Sequence, residues 1–579
     1  MSHDDDIRVR PGRIRSKKPV RGKSFVARVL AATQKAGGLH RSGARGKSRV
    51  GFGRGRAASL GALRGLSAKS RHVVVKARVV RHSPKSAPLA AHLSYLRRDG
   101  VTRDGAPGKM FDAGGDEADA RAFAERCQGD RHHFRFIVSP DDAAEISDLR
   151  AFTRDLMAQM SRDLGTGVDW VAIDHWNTEH PHVHVLARGR ADDGGDLVIS
   201  RDYISRGMRA RAEQLVTLEL GPRADQEIRR ALESQVEADR WTPLDQALAR
   251  EASRRDGVID LRSSGAQEND VERTMLVARA RKLEKLGLAA PVSPGQWIMA
   301  EEAESVLRAL GERGDIIKRI HRGLTERGIE RGAANFAWNT EAHGDLIIGR
   351  LVSRGLDDEL KGSAFAVIDG VDSRAHHIRF ADLDATSDAA PGAVVEVRRL
   401  ASREGASSRL VLAVRSDLTI EEQIHATGAT WLDRRLVARE ATPLSEAGFG
   451  REVRDAMEAR AEHLVAEGLA RRQGQRLIFA RDLLDTLRAR ELDEAATRLA
   501  SETGLPRHAV AEGESVAGVY RQRLTLATGR YAMIDDGLGF SLVPWSPSLE
   551  RELGKHVSGV MSPGGRVEWS LGRKRGIGI

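Results

Sequence analysis

A single cysteine, Cys127, in 579 residues excludes an internal disulfide framework and fits a reducing compartment. No apolar run is long enough to cross a bilayer, so stable membrane insertion is not expected. No apolar stretch of signal-peptide type follows Asp4, Asp5 and Asp6. Aromatic residues are 4% of the chain and tyrosine occurs four times. A nucleotide-binding loop is also missing. "GARGKS" (43–48) ends like one, but the first glycine of the pattern falls at Arg41 and no apolar strand leads into it. No nucleotide cofactor is expected.

What is present is length and unevenly placed charge. A chain of 579 residues outgrows one hydrophobic core, which implies three or four domains. Residues 1–70 carry 18 Lys+Arg against 3 Asp+Glu, a net of +15, which leaves −4 for the other 509. This Gly-, Arg-, Ser- and Lys-rich arm reads as disordered when free and suited to a polyanion, nucleic acid above all, with a solubilising tail as the alternative.

From residue 71 the pattern turns regular. "HVVVKARVV" (72–80) alternates as a strand, with Lys76 and Arg78 on one face. "PLAAHLSYLRR" (88–98) reads as a short helix, "HHFRFIVS" (132–139) as a strand, and 141–164 as a helix with one apolar face. "VDWVAIDH" (168–175) and "HVHVLARG" (182–189) form a strand pair. Such mixed order predicts an α+β domain with an antiparallel sheet over 71–225. Residues 226–345 read as helices, 346–415 as five short strands sufficient for a small β-barrel, and 416–579 as helical and then β-rich. "LEKLGLAAPVSPGQWIMA" (283–300) and "HLVAEGLARRQGQRLIFA" (463–480) look alike, each a helix end, a Gly-Leu stop and a hairpin, the outline of a winged helix.

"HWNTEHPHVHVLARG" (175–189) holds four of the chain's 19 histidines. In a strand, His182 and His184 point the same way, about 7 Å apart along the chain. A strand ending at His175 and returning from His182 brings the third imidazole beside them. Three neutral imidazoles make an open metal site with positions left for water or substrate. His180, before Pro181, ranks behind His175 as third ligand.

Tyr95 lies about 200° around its helix from Leu93, off the apolar stripe. It shares a polar face with His92, and Arg97 and Arg98 follow closely. A phenol among cations can attack phosphate once a base takes its proton, and His92 is a possible base. The alternative is a surface tyrosine covering a helix end.

"AAHLSYLRRDG", "HHFRFIVSPDDA" and "HWNTEHPHVHVLARG", in this order, resemble the three motifs of conjugative relaxases of the VirD2-like type. These are HUH endonucleases, named for the His–hydrophobic–His pair, here His182–Val183–His184. The third motif matches the family pattern over its whole length, with Asn177 where Asp is frequent. The resemblance covers 71–225, and the long remainder looks like the C-terminal extension of such enzymes. It implies Tyr95 as nucleophile and His175, His182 and His184 as ligands of Mg²⁺ or Mn²⁺. Ser139 would meet DNA near the nick, with Lys76, Arg78, Arg97 and Arg98 as further DNA-binding residues. The product would be a 5′-phosphotyrosyl DNA bond, formed without nucleotide.

The implied partners are single-stranded or supercoiled transfer-origin DNA, relaxosome accessory proteins and a type IV secretion coupling protein. The implied place is the bacterial cytoplasm, with translocation to a recipient cell. Ser139-Pro140-Asp141-Asp142 also reads as the N-cap of the following helix. Tyr203, not adjacent to Tyr95, reads as structural or DNA-lining. Two other readings stay open: an HUH-type replication initiator, and a non-catalytic DNA-binding protein with a structural metal site.

Overall fold

The computed structural model describes residues 53–570 apart from 83–88, 90–91, 94–95, 98–101, 105, 177–179, 263–269, 339–345, 359, 401–408, 441, 475 and 564. Tyr95, Arg98, Asn177, the incomplete phosphate loop and the basic arm before residue 53 lie outside the described residues. The chain divides into two units between Ser234 and Gln235. Helices and antiparallel sheets mix in both, apart from one short parallel pairing, and no described helix is long and apolar enough to cross a membrane.

The first unit contains one four-stranded sheet with helices packed against it. Strands β1 (Val73–Arg81), β2 (His132–Pro140), β3 (Trp170–His175) and β4 (His182–Arg188) pair antiparallel in the order β1-β2-β4-β3. Because side chains alternate along a strand, Val73, Ala77, Val79, Phe134, Phe136, Val138, Val183, Val185, Trp170 and Ala172 fall on one side and form the core. Helix α1 (Arg56–Arg64) precedes the sheet, α2 (Ala120–Arg126) follows β1, α3 (Leu149–Leu164) follows β2, and α4 (Met208–Leu220) follows β4. From α3, Phe152, Leu156, Met160 and Leu164 pack into that core at three- and four-residue spacing. Cys127 is buried at the end of α2, and burial pushes its thiol up to about 12.

Three expectations change here. The helix expected over 141–164 starts at Leu149, capped by the Asp148 carboxylate, which accepts from the Arg150 and Ala151 amides. Ser139 and Pro140 instead end β2, so Ser139 is no helix cap: the strand ladder to Val73 and Val74 takes these residues up. The basic arm ends earlier than residue 70. Arg54 bridges to Ile199, and α1 buries Ser59 and Ala62. Gly55 makes this possible: at φ +86°, a Cβ there would meet the Tyr203 ring at 2.9 Å.

The second unit contains one motif twice. In the first copy, α5 (Pro243–Arg254), β5 (Val258–Asp260), α6 (Asp270–Lys285), the hairpin β6 (Ala289–Ser293)–β7 (Gln296–Met299) and α7 (Ala303–Thr325) follow in order. After β8 (Phe336–Ala337) come β9 (Ile347–Asp358), β10 (Ser363–Gly370), β11 (Ala375–Phe380), β12 (Val394–Leu400) and β13 (Arg409–Ser416). These pair as β13-β12-β9-β10-β11-β8. Among the described residues no ladder joins β13 to β8, so the expected barrel is an open sheet. It curls enough to bring β13 towards β11.

The second copy runs α8 (Ile420–Ile424), α9 (Trp431–Leu436), α10 (Gly448–Ala466), the hairpin β14 (Ala470–Gln473)–β15 (Arg476–Phe479) and α11 (Leu483–Thr503). A five-stranded antiparallel sheet closes the unit: β16 (Ser515–Leu526), β17 (Gly529–Asp535), β18 (Phe540–Pro544), β19 (His556–Ser562) and β20 (Arg566–Trp569).

Each copy is pinned by a fully buried arginine. Arg279 forms a bidentate pair with Asp245 at 2.8 and 2.9 Å and donates its other N–H groups to the carbonyls of Val236, Ala238 and Arg240. Arg460 does the same with Asp433 and the carbonyls of Ile424, Ala426 and Gly428. Both aspartates also close a capping box, with Thr242 and Thr430. Removing one partner of such a pair strands a buried charge, which costs about 3–5 kcal/mol. Asp433→Ala is therefore expected to lower the urea midpoint of this unit, read by the fluorescence of neighbouring Trp431. Adding Arg460→Met should restore only part of the loss, because three carbonyls and the Thr430 cap stay without partners.

Candidate metal centre and cationic sheet face

The strand pair β3–β4 places His175 directly opposite His182, and Ile173 opposite His184. Ring centroids of His175 and His184 lie 4.6 Å apart, those of His182 and His184 4.9 Å, and those of His175 and His182 5.4 Å. One ligand nitrogen from each falls within 4.8 Å of the other two, and all three residues are buried. His180 is exposed and outside this group. Its part is played by its backbone: the carbonyl accepts from His182 Nδ1 at 2.9 Å. With its proton fixed on Nδ1, neutral His182 presents a bare Nε2 towards His184 Nε2, 3.1 Å away.

Two nitrogens bound to one ion at about 2.1 Å stand about 3.0–3.4 Å apart. The His182–His184 spacing fits that range, and among the described residues no carboxylate belongs to the group. An all-imidazole donor set suits divalent transition ions, with Mn²⁺ favoured over the harder Mg²⁺.

The helical residues around Tyr95 reach this centre. Leu93 and Leu96 are buried, as their stripe predicts, and the Leu96 carbonyl lies 3.3 Å from His175 Nε2. Behind the hairpin, Asp174 faces the other way. It accepts from Arg150 Nε at 3.0 Å and from Trp176 Nε1 at 2.8 Å, which braces the strand end next to His175.

Register shows what shares the histidines' face. Ile137 lies opposite His184 on one side and Lys76 on the other. Arg135 lies between Leu186 and Arg78. The face with the histidines thus also carries Lys76, exposed, and Arg78, half-buried. Ser139 is half-buried on it and donates to the Pro181 carbonyl at 3.4 Å, close to the hairpin mouth. Arg97 is exposed. His92 stands near enough to His133 to help hold its imidazole neutral, although burial is the larger cause. Its place relative to the Tyr95 hydroxyl is outside the described residues.

Sequence reasoning missed Arg135. The alternation in "HHFRF" was signal enough: with Phe134 and Phe136 in the core, Arg135 must share a face with the histidines. Tyr203 is structural. It is 1% exposed, its hydroxyl donates to Asp163, and burial raises its pKa far above that of free phenol.

Fold and centre together define an α+β protein whose antiparallel sheet carries a three-histidine cluster of metal-ligand geometry. A family model described as "Protein of unknown function (DUF3363)" matches residues 276–415 and 401–578. The two segments take in more than half of the chain, and the chain belongs to that family. The match lies outside the residues of the histidine centre. No curated protein and no solved structure matches the chain.

Proposed function

We propose that the protein is a relaxase, a metal-assisted endonuclease that nicks one strand at a transfer origin and keeps the 5′ end on Tyr95. The observation that carries this reading is the buried His175–His182–His184 cluster with the backbone next to Tyr95 against it. The other three tyrosines support it: Tyr203, Tyr520 and Tyr531 are 1%, 2% and 7% exposed, and burial raises the pKa of each.

In this reading His175, His182 and His184 hold Mg²⁺ or Mn²⁺, which supplies charge stabilisation for the non-bridging oxygens of the scissile phosphate. The Tyr95 phenol oxygen bonds to phosphorus as the P–O3′ bond breaks, leaving a 5′-phosphotyrosyl end and a 3′-hydroxyl. The phenolic proton passes to a base, for which His92 is the proposed group, and the departing O3′ takes up a proton. One ester replaces another, so no nucleotide is consumed and the reverse reaction rejoins the strand.

Lys76, Arg78, Arg97, Arg98 and Ser139 would hold the flanking strand, on the HUH-type sheet. The basic residues before Gly53 would add phosphate contacts. The repeated helix–hairpin units, winged-helix-like in outline, and the curled sheet would bind origin DNA, relaxosome accessory proteins or the type IV coupling protein. The work would begin in the bacterial cytoplasm and end with translocation on the DNA.

The test is incubation with supercoiled origin DNA and Mn²⁺, followed by SDS and protease. Nicked circles with protein on the 5′ end and a free 3′-hydroxyl are expected. Absence of a covalent adduct, or an adduct at the 3′ end, would overturn the proposal. Metal uptake with no adduct would leave a structural metal site in a DNA-binding protein.

A further inference from the structure

Arg135 differs from four other shielded arginines of the first unit. Arg71, Arg150, Arg188 and Arg211 each meet a carboxylate, at 2.6–3.0 Å. Among the described residues Arg135 meets none. Among the described residues its one hydrogen-bond partner is His133, whose Nε2 accepts from Arg135 Nε at 3.1 Å. A guanidinium cannot accept, so neutral His133 carries its proton on Nδ1 and donates it to His82 Nε2, 2.7 Å away. The relay is uncharged. It aims the guanidinium without neutralising it.

The charge is costly where it stands. Burial, with the charge of Arg78 added across the β1–β2 pair, lowers the Arg135 pKa to about 10. Buried cations are normally paired within the protein, as in the second unit, where Arg279 and Arg460 spend every N–H on protein acceptors. Here the two Nη groups keep that capacity for something from outside.

We propose that Arg135 is the anchor of a phosphate subsite, with Arg78 beside it, that takes a phosphodiester flanking the one at the histidine centre. The planar fork of an arginine suits two oxygens of one phosphate. Position supports this ligand. Arg135 is one strand across and two residues along from His184, about 8 Å between Cα atoms, on the same face. The identity of the polymer, a single DNA strand, rests on the relaxase reading. The subsite itself rests on the missing carboxylate.

Phosphate contacts carry no sequence information, so a short labelled oligothymidylate is a sufficient probe. Binding is followed by fluorescence anisotropy over a range of salt, in Mn²⁺, with the full chain. Arg135→Met removes a half-buried charge that has no carboxylate partner among the described residues, and should keep the fold. Arg135→Gln, which keeps a donor towards His133, is the second variant.

Both are expected to weaken binding roughly ten- to hundredfold. Both should also lower the slope of log K against log salt by about 0.7, the value of one single-strand phosphate contact. Arg135→Lys should keep the slope and bind less tightly than wild type. Wild-type slopes in Met and Gln variants with unchanged melting temperatures would overturn the subsite. Covalent capture by wild type with unaltered slopes would remove the subsite alone; lowered slopes in a protein that forms no covalent adduct would remove the relaxase reading alone.

Discussion

Phenylalanine in place of Tyr95 is expected to abolish the covalent DNA product while leaving metal uptake and oligonucleotide binding in place. The substitution deletes one oxygen, and in the proposed reaction that oxygen forms the new bond to phosphorus. Removing a nucleophile in other enzymes costs about 10⁶-fold in rate, so product should fall below detection on an SDS gel. No other tyrosine can substitute. Tyr203 is locked to Asp163, and Tyr520 and Tyr531 are buried in the second unit. The split between lost chemistry and retained binding separates a nucleophile from a tyrosine that only covers a helix end. The latter would lower stability or affinity and leave the adduct. Persistent adduct in Tyr95→Phe, mapped to another residue, would remove Tyr95 from the reaction.

The histidine hairpin was legible because two independent periodicities agree there. Alternation puts His182 and His184 on one face, and the short connection brings His175 opposite His182, as the register has it. The Ser139–Asp142 stretch misled because Ser-Pro-Asp-Asp fits a helix start equally well as a strand end. What decided was tertiary: pairing of Val73 and Val74 with Pro140 and Ser139 extends the strand, and a second cap at Asp148 starts the helix later.

In the second half, the likeness of 283–300 to 463–480 showed one part of a repeat. The rest was hidden because its diagnostic residues are few and far apart in sequence. Thr242–Leu244–Asp245 answers to Thr430–Leu432–Asp433, and each waits for an arginine on a later helix, Arg279 or Arg460. A pair separated by 34 residues in one copy and 27 in the other leaves no local period to read. Barrel closure was equally illegible, because strand count does not say whether the last edges meet.

Alanine at both His182 and His184 is expected to eliminate Mn²⁺ uptake in calorimetry and covalent capture with it. A single remaining imidazole, His175, gives no chelate. Losing even an outer hydrogen-bond partner of a ligand costs about 10–100-fold in metal affinity, so losing two ligands must cost more. His180→Ala provides the contrast. The group that fixes the His182 tautomer is the His180 carbonyl, which alanine keeps, so uptake should stay within a few-fold of wild type. This pair of results distinguishes the hairpin centre from a general clustering of histidines, for which all four positions would matter alike. Stability adds a second readout. The imidazoles are buried and face one another, so a bound ion should raise the melting temperature of wild type by mass action and leave that of the double variant unmoved. Metal-dependent stabilisation that survives in the double variant would place the ion elsewhere in the chain, and the proposed chemistry at Tyr95 would lose its Lewis acid.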